Sequence, residues 1–325
     1  MRLARRRFLH LAAVAAAAPA ISRAAFAQSY PSRPVRFVVP FPAGGTTDIL
    51  ARILGQHLSE RLGQQVVIEN KPGGGTNIAV QFVVKAPADG HTLLMTLATN
   101  TINPWLYKSL PFDFQRDIAP VSGLAELPLV LVINPGLPVK NIAEFVAYAR
   151  TNPDKIAFAS FGARTISHLA IELIKSSTGI SVVHVPYPGG APMLTDMITG
   201  RIQAGIDALP NSLPHIRSGA VRCLAVLSKA RTPLLPDVPA IGEALAGLEV
   251  SAWTGIGVPS ATPTEIVARL NRDINASLAE AALKLRYAEI GATPLMFTPA
   301  EASARVASDL QKWGKVVQSA GIKPD

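Results

Sequence analysis

The sequence predicts an α/β fold divided into two domains around a ligand cleft, and three observations carry that expectation. An apolar, β-branched run over 35–39 stops at Pro40 and passes through a Pro/Gly turn. It resumes with apolar residues at Ile49, Leu50, Ile53, Leu54 and Leu58, which is helical spacing. The order of strand, glycine turn and helix returns over 65–84, and it recurs beyond Ile133 in a stretch long enough for a core of its own. Consecutive units of this kind imply a parallel sheet with crossover helices.

The first unit organises the rest. Gly44 and Gly45 permit a backbone that a side chain would block, and Thr46, Thr47 and Asp48 are residue types that cap a helix start. Such a turn gathers free N–H groups at the positive end of a helix dipole, where a carboxylate or phosphate is stabilised. An ordinary strand-to-helix connection is the competing reading. Asp48 disfavours a highly charged phosphate, because it brings negative charge to the same mouth.

Ahead of this unit, Arg5, Arg6 and Arg7 followed by Phe8, Leu9 and an Ala-rich run have the form of an export signal, with Arg5 and Arg6 as a twin-arginine pair. Its apolar stretch is interrupted by Pro19 and is short for a membrane span. Ala25-Phe26-Ala27 supplies a small-x-small cleavage site, so the mature chain is expected to begin at Gln28. The chain has 325 residues, of which 49% are hydrophobic and 16% charged, which excludes disorder. The formal charge of +9 includes five arginines of the signal and no acid there, which leaves +4 for residues 28–325. That balance is mild and its cations are scattered, which argues against nucleic-acid binding. Cys223 is the single cysteine, so neither an internal disulfide nor a multi-cysteine metal site can form. Together these features point to a periplasmic protein.

Along the mature chain, 65–69 reads as the second strand, 70–77 as a second glycine turn and 78–84 as a helix. A third strand over 91–97 ends at Ala98-Thr99-Asn100-Thr101. Ligands of open α/β sheets sit beyond the carboxyl ends of strands, which makes Thr99, Asn100 and Thr101 candidate contacts, with turn and cap chemistry as the alternative. The apolar run LPLVLVI within 124–133 is the candidate crossing into the second domain. There a helix over 141–150 and a strand over 156–159 lead to the turn Ser160 to Thr165 and a helix containing His168. A strand over 182–185 precedes Pro186-Tyr187-Pro188-Gly189-Gly190 and a helix over 191–198, and the strand 202–206 ends at Asp207. A buried strand over 221–227 and a proline-rich return follow. The strand 250–258 leads back to the first domain, covered by helices over 264–278, 279–289 and 299–319. The domains are thus expected as 28–126 with 252–325, and 127–251.

Six segments in order, YPSRPVRFVVPFPAGGTTDILAR, ENKPGGGTNIA, INPWLYKSLPFD, FASFGARTISHLAIEL, VHVPYPGGAPMLTDMITGRIQAGID and LPDVPAIGEA, closely resemble the Bug-type substrate-binding proteins of tripartite tricarboxylate transporters. The likeness spans essentially the whole mature chain. It implies a type II periplasmic binding protein, two α/β domains joined by crossing strands and closing on a small organic anion. By that resemblance the ligand carboxylate is held by Phe41, Pro42, Ala43, Gly44, Gly45, Thr46, Thr47 and Asp48. The second-domain contacts map to Ser160, Gly162, Ala163, Arg164 and Thr165, and to Tyr187 and Asp207. Phe161 and Arg164 stand where the family's turn usually carries small residues, and Pro188 where it commonly has a lysine.

Two of these residues pull the ligand chemistry in opposite directions. Arg164 could meet a second carboxylate with a bidentate fork, or point to solvent. Asp207 would repel anions and suit an ammonium or hydroxyl donor, or cap a neighbouring backbone segment. An exported enzyme is the competing class, but G-x-S-x-G, a Walker lysine motif and H-E-x-x-H are all missing, and His57, His91, His168, His184 and His215 are spread without metal-ligand spacing. His168 is read as a packing or capping residue in preference to a catalytic base. The expectation is therefore a monomeric receptor without cofactor, metal or catalytic residue. It takes up a di- or tricarboxylate, acidic amino acid or aromatic acid and delivers it to membrane permease subunits, with a sensor role as the alternative.

Overall fold

A computed structural model of the chain describes residues 30–319 together with 322 and 324. The expected export signal over 1–27 lies outside the described residues. Among the described helices, none is long and apolar enough to cross a membrane.

The first strand, Val35–Val39 (β1), runs into the loop 40–45 and the helix Thr46–Leu62 (α1). Val66–Asn70 (β2) and Thr92–Leu97 (β3) pair with β1 in parallel, the crossover between them being the helix Asn77–Val84 (α2). All of β3 is buried, as expected of a strand covered on both faces. Past Leu97, residues 98–101 are the first turn of a helix that the sequence reading leaves unassigned, Ala98–Leu106 (α3). The strand needs no turn residues there, because Asn100 Oδ1 accepts the Leu97 N–H at 2.7 Å and closes the junction itself.

After the short helix Phe114–Asp117 (α4) comes Ile118–Ile133 (β4), a strand of 16 residues that begins well before the expected apolar run. Its first part pairs antiparallel with Ser251–Pro259 (β9), from Ile118↔Pro259 to Pro128↔Ser251. Its last part pairs antiparallel with Ala204–Ala208 (β7) and Arg222–Val226 (β8). The helix Ile142–Thr151 (α5) is capped by Asn141, whose side chain accepts the Glu144 N–H. Ala157–Ser160 (β5) pairs in parallel with both Val183–Pro186 (β6) and β7. The crossovers are the helices Ile166–Thr178 (α6) and Gly190–Ile198 (α7). Leu209–Arg217 (α8) follows β7 directly. Its two prolines obscure it in the sequence, although Pro at the second helical position costs no hydrogen bond.

The full order, with the two-residue strand Thr293–Pro294 (β10), is β2-β1-β3-β9-β4-β7-β5-β6, while β8 and β10 also pair with β4. The sheet is mixed: parallel on each side as expected, and antiparallel at its centre, where β9 and β4 run between β3 and β7. Thr264–Ala279 (α9), Ala281–Glu289 (α10) and Pro299–Ser319 (α11) lie within two residues of their expected limits. α11 packs against β4 and α3 through Val306, Trp313 and Val317, and Trp105 Nε1 donates to the Leu310 carbonyl.

Candidate ligand-binding site

The carboxyl ends of β1, β3 and β7, the loop after β5, the latter half of β4 and the first half of β9 converge on one cavity with about 760 Å³ of atom-free space, part of it open to solvent. Phe41, Pro42, Ala43, Gly45, Thr46 and Thr47 form one side. Leu127 and Leu129 of β4 and Ala252, Trp253 and Thr254 of β9 line it as well, with Phe161, Ile166 and the start of α7 completing the wall.

Five helices, α1, α3, α6, α7 and α8, begin at this wall through Thr46, Ala98, Ile166, Gly190 and the cap residue Ala208. First-turn N–H groups have no acceptor inside their own helix, and each helix presents the positive end of its dipole. Among the described lining residues there is no Lys, Arg or His. A positive potential here is therefore carried by backbone dipoles. At α1 the cap is Gly45, which has no side chain to satisfy those N–H groups. Beside it Thr46 is only 8% exposed, and its buried hydroxyl has no hydrogen-bond partner. A hydroxyl left in that state costs free energy unless something completes it.

The other residues expected in the first loop have different work. Gly44 is off the cavity wall and adopts φ +81°, the left-handed region that glycine tolerates. Its N–H donates to Asp48 Oδ2 at 2.9 Å, and Arg52 Nε donates to the same oxygen at 2.8 Å. Burial pushes the Asp48 carboxyl up, but its hydrogen bonds and the Arg52 charge outweigh that and hold it below the usual carboxylate range. Asp48 thus ties the loop to the helix through Oδ2 and is not among the residues that line the cavity. Asn70 Nδ2 fastens the same loop through the Phe41 carbonyl at 2.9 Å. Asn100 is likewise turned inward, between the Leu97 N–H and the Thr76 hydroxyl, whereas Thr99 reaches the wall and its Oγ1 accepts the Ile166 N–H at 3.3 Å.

In the turn after β5, Ser160, Gly162, Ala163, Arg164 and Thr165 do not line the cavity, while Phe161 does. The Ser160 hydroxyl is fully buried, donates to the Gly162 carbonyl and lies 2.7 Å from His184 Nε2. The Thr165 hydroxyl also donates to the Gly162 carbonyl, so both close the turn on itself. Arg164 sits at φ +60°, with its N–H donated to His168 Nδ1 at 3.1 Å. Its guanidinium lies 4.6 Å over the ring of Tyr107, clear of the cavity. His168 stacks on His184 at 3.8 Å, so two histidines that look dispersed in the sequence are neighbours. The Tyr187 hydroxyl donates to Asp196 and is also off the wall.

Asp207 does reach the wall, buried at the end of β7. Burial pushes its carboxyl above the ordinary range, against hydrogen bonds from Ser212, Asn211 and the Ala208 N–H. Its Oδ2 accepts from Ser212 Oγ at 2.7 Å and Asn211 Nδ2 at 2.9 Å. Its Oδ1 lies so close to Gly190 that a Cβ there would sit 2.3 Å away.

Sequence reasoning missed the floor, made by Leu127, Leu129, Ala252 and Thr254. The signal was present, since strands that cross between two halves must expose alternate residues to whatever lies between them. It also missed Gly189 to Pro192 and Asn211, although Gly189-Gly190 repeats the double glycine that marked the first loop.

A family described as the tripartite tricarboxylate transporter family receptor matches residues 50–322. Protein BugT of Bordetella pertussis is 36% identical over 320 residues, 98% of this chain and 98% of BugT. The solved structure of R. palustris Rpa4515 with adipate superposes with a TM-score of 0.87 at 39% identity, covering 91% of this chain and 100% of that one. MatC (Rpa3494) from Rhodopseudomonas palustris with bound malate gives a TM-score of 0.84 at 30% identity, covering 89% of this chain and 100% of MatC. The architecture is thus the mixed α/β fold of periplasmic binding proteins, and the chain belongs to the receptor family of the tripartite tricarboxylate transporters, together with the Bug proteins.

Proposed function

We propose that this chain is an exported receptor that captures a small organic carboxylate in the cavity and passes it, chemically unchanged, to membrane permease subunits. The observation that carries the reading is the start of α1. Its first-turn N–H groups, capped by no side chain, stand beside the unpartnered, buried Thr46 hydroxyl. A carboxylate placed there accepts from both. Charge-assisted hydrogen bonds contribute about 1.5–3 kcal/mol each and the dipole up to about 2 kcal/mol. Two or three such contacts are consistent with micromolar affinity, about 8 kcal/mol, after the costs of association. The adipate and malate bound by Rpa4515 and MatC are carboxylates of the same kind.

Capture proceeds in this reading by closure of one domain, 28–126 with 252–325, on the other, 127–251. The change of partners along β4, from β9 up to Pro128 to β7 from Leu129, supports a division at that point. Export follows from the signal over 1–27, with cleavage after Ala27.

The test is thermal unfolding of the chain from Gln28 onward against mono-, di- and tricarboxylates, acidic amino acids and aromatic acids. Ligand at about 100 times its Kd adds about 2.7 kcal/mol to stability. Stabilisation by at least one acid, recovered intact, is the expected result. If no acid stabilises the protein, or the acid is consumed, the receptor reading fails.

A further inference from the structure

We propose that the cavity takes up a dicarboxylate together with one proton, which Asp207 and the second carboxylate of the diacid share; this rests on the receptor reading above and deepens it. Neutral donors are available on the wall. Thr47, Thr99, Thr254 and Asn211 line it, and α7 and α8 begin there without a side-chain cap. Charge is a different matter, because Asp207 is the one ionisable side chain among the described lining residues. It is 1% exposed, so water does little to screen a second negative charge brought beside it.

The position of Asp207 makes the encounter hard to avoid. With the first carboxylate at the start of α1, the start of α7 is close by, since a Cβ on Gly189 would lie 3.4 Å from Pro42 Cδ of the first loop. The next residue, Gly190, lies against Asp207 Oδ1, and α8 begins directly after Asp207. A diacid that reaches from α1 to the uncapped ends of α7 and α8 therefore meets their N–H groups and this acid together. Two carboxylates in one site without a cation do not both stay ionised, and one of them is driven to bind a proton. Shared between them, that proton replaces a repulsion with a charge-assisted hydrogen bond. The other groups around Asp207 leave this need in place. β4 sets Leu129 and Val130 beside it and β5 ends at Ser160, all uncharged. Asp196 of α7 is tied to Tyr187 and Arg201. From α8, Asn211 and Ser212 donate to Oδ2 as neutral groups, and His215 favours the ionised carboxylate only when it is itself protonated.

Adipate and malate are the probes, titrated calorimetrically into the chain from Gln28 between about pH 6.5 and 8.5, where both of their carboxylates are ionised in water. In buffers of different ionisation enthalpy, binding is expected to show a net uptake approaching one proton, with a Kd that rises by about tenfold per pH unit where uptake is complete. Asp207→Asn keeps the shape and is expected to bind without proton uptake and with a Kd that does not change with pH, whereas His215→Gln is expected to keep the uptake. Uptake that persists in Asp207→Asn, or is lost in His215→Gln, overturns the assignment to Asp207. If Asp207→Asn fails to fold, the result with His215→Gln decides. A diacid bound by the unaltered protein with no proton uptake and a constant Kd overturns the inference and leaves the receptor reading standing. Failure of both diacids to bind overturns it as well, and the receptor reading is then decided by the wider panel of acids.

Discussion

Replacing Thr46 by Val separates a binding role from a structural one. The two side chains have the same shape, and the Thr46 hydroxyl has no partner among the described residues, so Val removes a buried polar atom without breaking a bond seen there or leaving a hole. Stability without ligand is expected to stay level or rise, since an unmade buried hydrogen bond is a cost of about 1–3 kcal/mol. Ligand affinity is expected to fall, because the hydroxyl's one opportunity to donate is to the bound carboxylate. A hydrogen bond to a charged group contributes about 1.5–3 kcal/mol, which corresponds to a Kd raised about 13- to 160-fold. In a thermal-unfolding titration, ligand that stabilises the unaltered protein by about 2.7 kcal/mol would stabilise a variant weakened about 30-fold by roughly 0.9 kcal/mol at the same concentration. An unchanged Kd, or a ligand-free variant destabilised by more than about 1 kcal/mol, would refute the reasoning. The first result would mean that the hydroxyl does not hold the ligand, and the second that Thr46 serves the fold.

Three further outcomes are expected. Gly190→Ala places a Cβ 2.3 Å from Asp207 Oδ1 and 2.4 Å from Asn211 Nδ2, an overlap that should outweigh the helix preference for Ala and cost about 1–3 kcal/mol in urea unfolding; an undiminished midpoint contradicts the packing described. For His184, burial and then the neighbouring His168 charge lower the ring to about 4. Because the unfolded ring takes up its proton near 6.5, the stabilisation is complete above that pH and drains away between 6.5 and 4, by about 1–2 kcal/mol once partial exposure is allowed for. Urea unfolding at pH 7.5, 6 and 5 should show that slope and His184→Gln should reduce it; identical slopes in the two proteins contradict the assignment. For the Arg164 guanidinium stacked over Tyr107, a double-mutant cycle of Arg164→Ala and Tyr107→Leu should return an interaction of about 0.5–1 kcal/mol, and an additive pair would show that the stacking adds nothing.

The first loop was legible because its signal is local. Gly44 and Gly45 sit between a β-branched run and helical spacing, so Gly44 to Asp48 read as a helix start without knowing what they face, while Phe41, Pro42 and Ala43 enter through the family resemblance. Asp48 was legible as an acid near a helix start but not as a strut, since its role depends on where the Gly44 N–H and the Arg52 side chain point. Arg164 illustrates the same limit at longer range. Its partner Tyr107 is 57 positions away, and no spacing rule connects them. The helix after Leu97 is hard to read because Thr99, Asn100 and Thr101 suit turns and caps alike by composition, and here the Asn100 side chain caps the junction from within a helix. The aromatic and aliphatic floor was hidden for the opposite reason, because buried strand residues look alike in a sequence whether they face a core or a cavity.

The same two strands that lay the cavity floor are the ones through which the two sides of the sheet are joined. Any rotation of one side against the other has to twist β4 between Pro128 and Leu129 and β9 near Ser251, where their pairing begins and ends. If the two sides close as proposed, the body of a bound acid would rest close to the pivot, where displacement is least. The outer pairs, Arg164 on Tyr107 and Ala163 against Gly75, stand away from this floor on the loops of the opposite sides and travel farther for the same angle. In the proposed closure the arrangement would act as a lever, a slight change in how Leu129 or Ala252 seats against a bound acid being multiplied into the gap at the mouth. Binding and release can then be set at two places, by what fills the fulcrum and by what pulls at the rim.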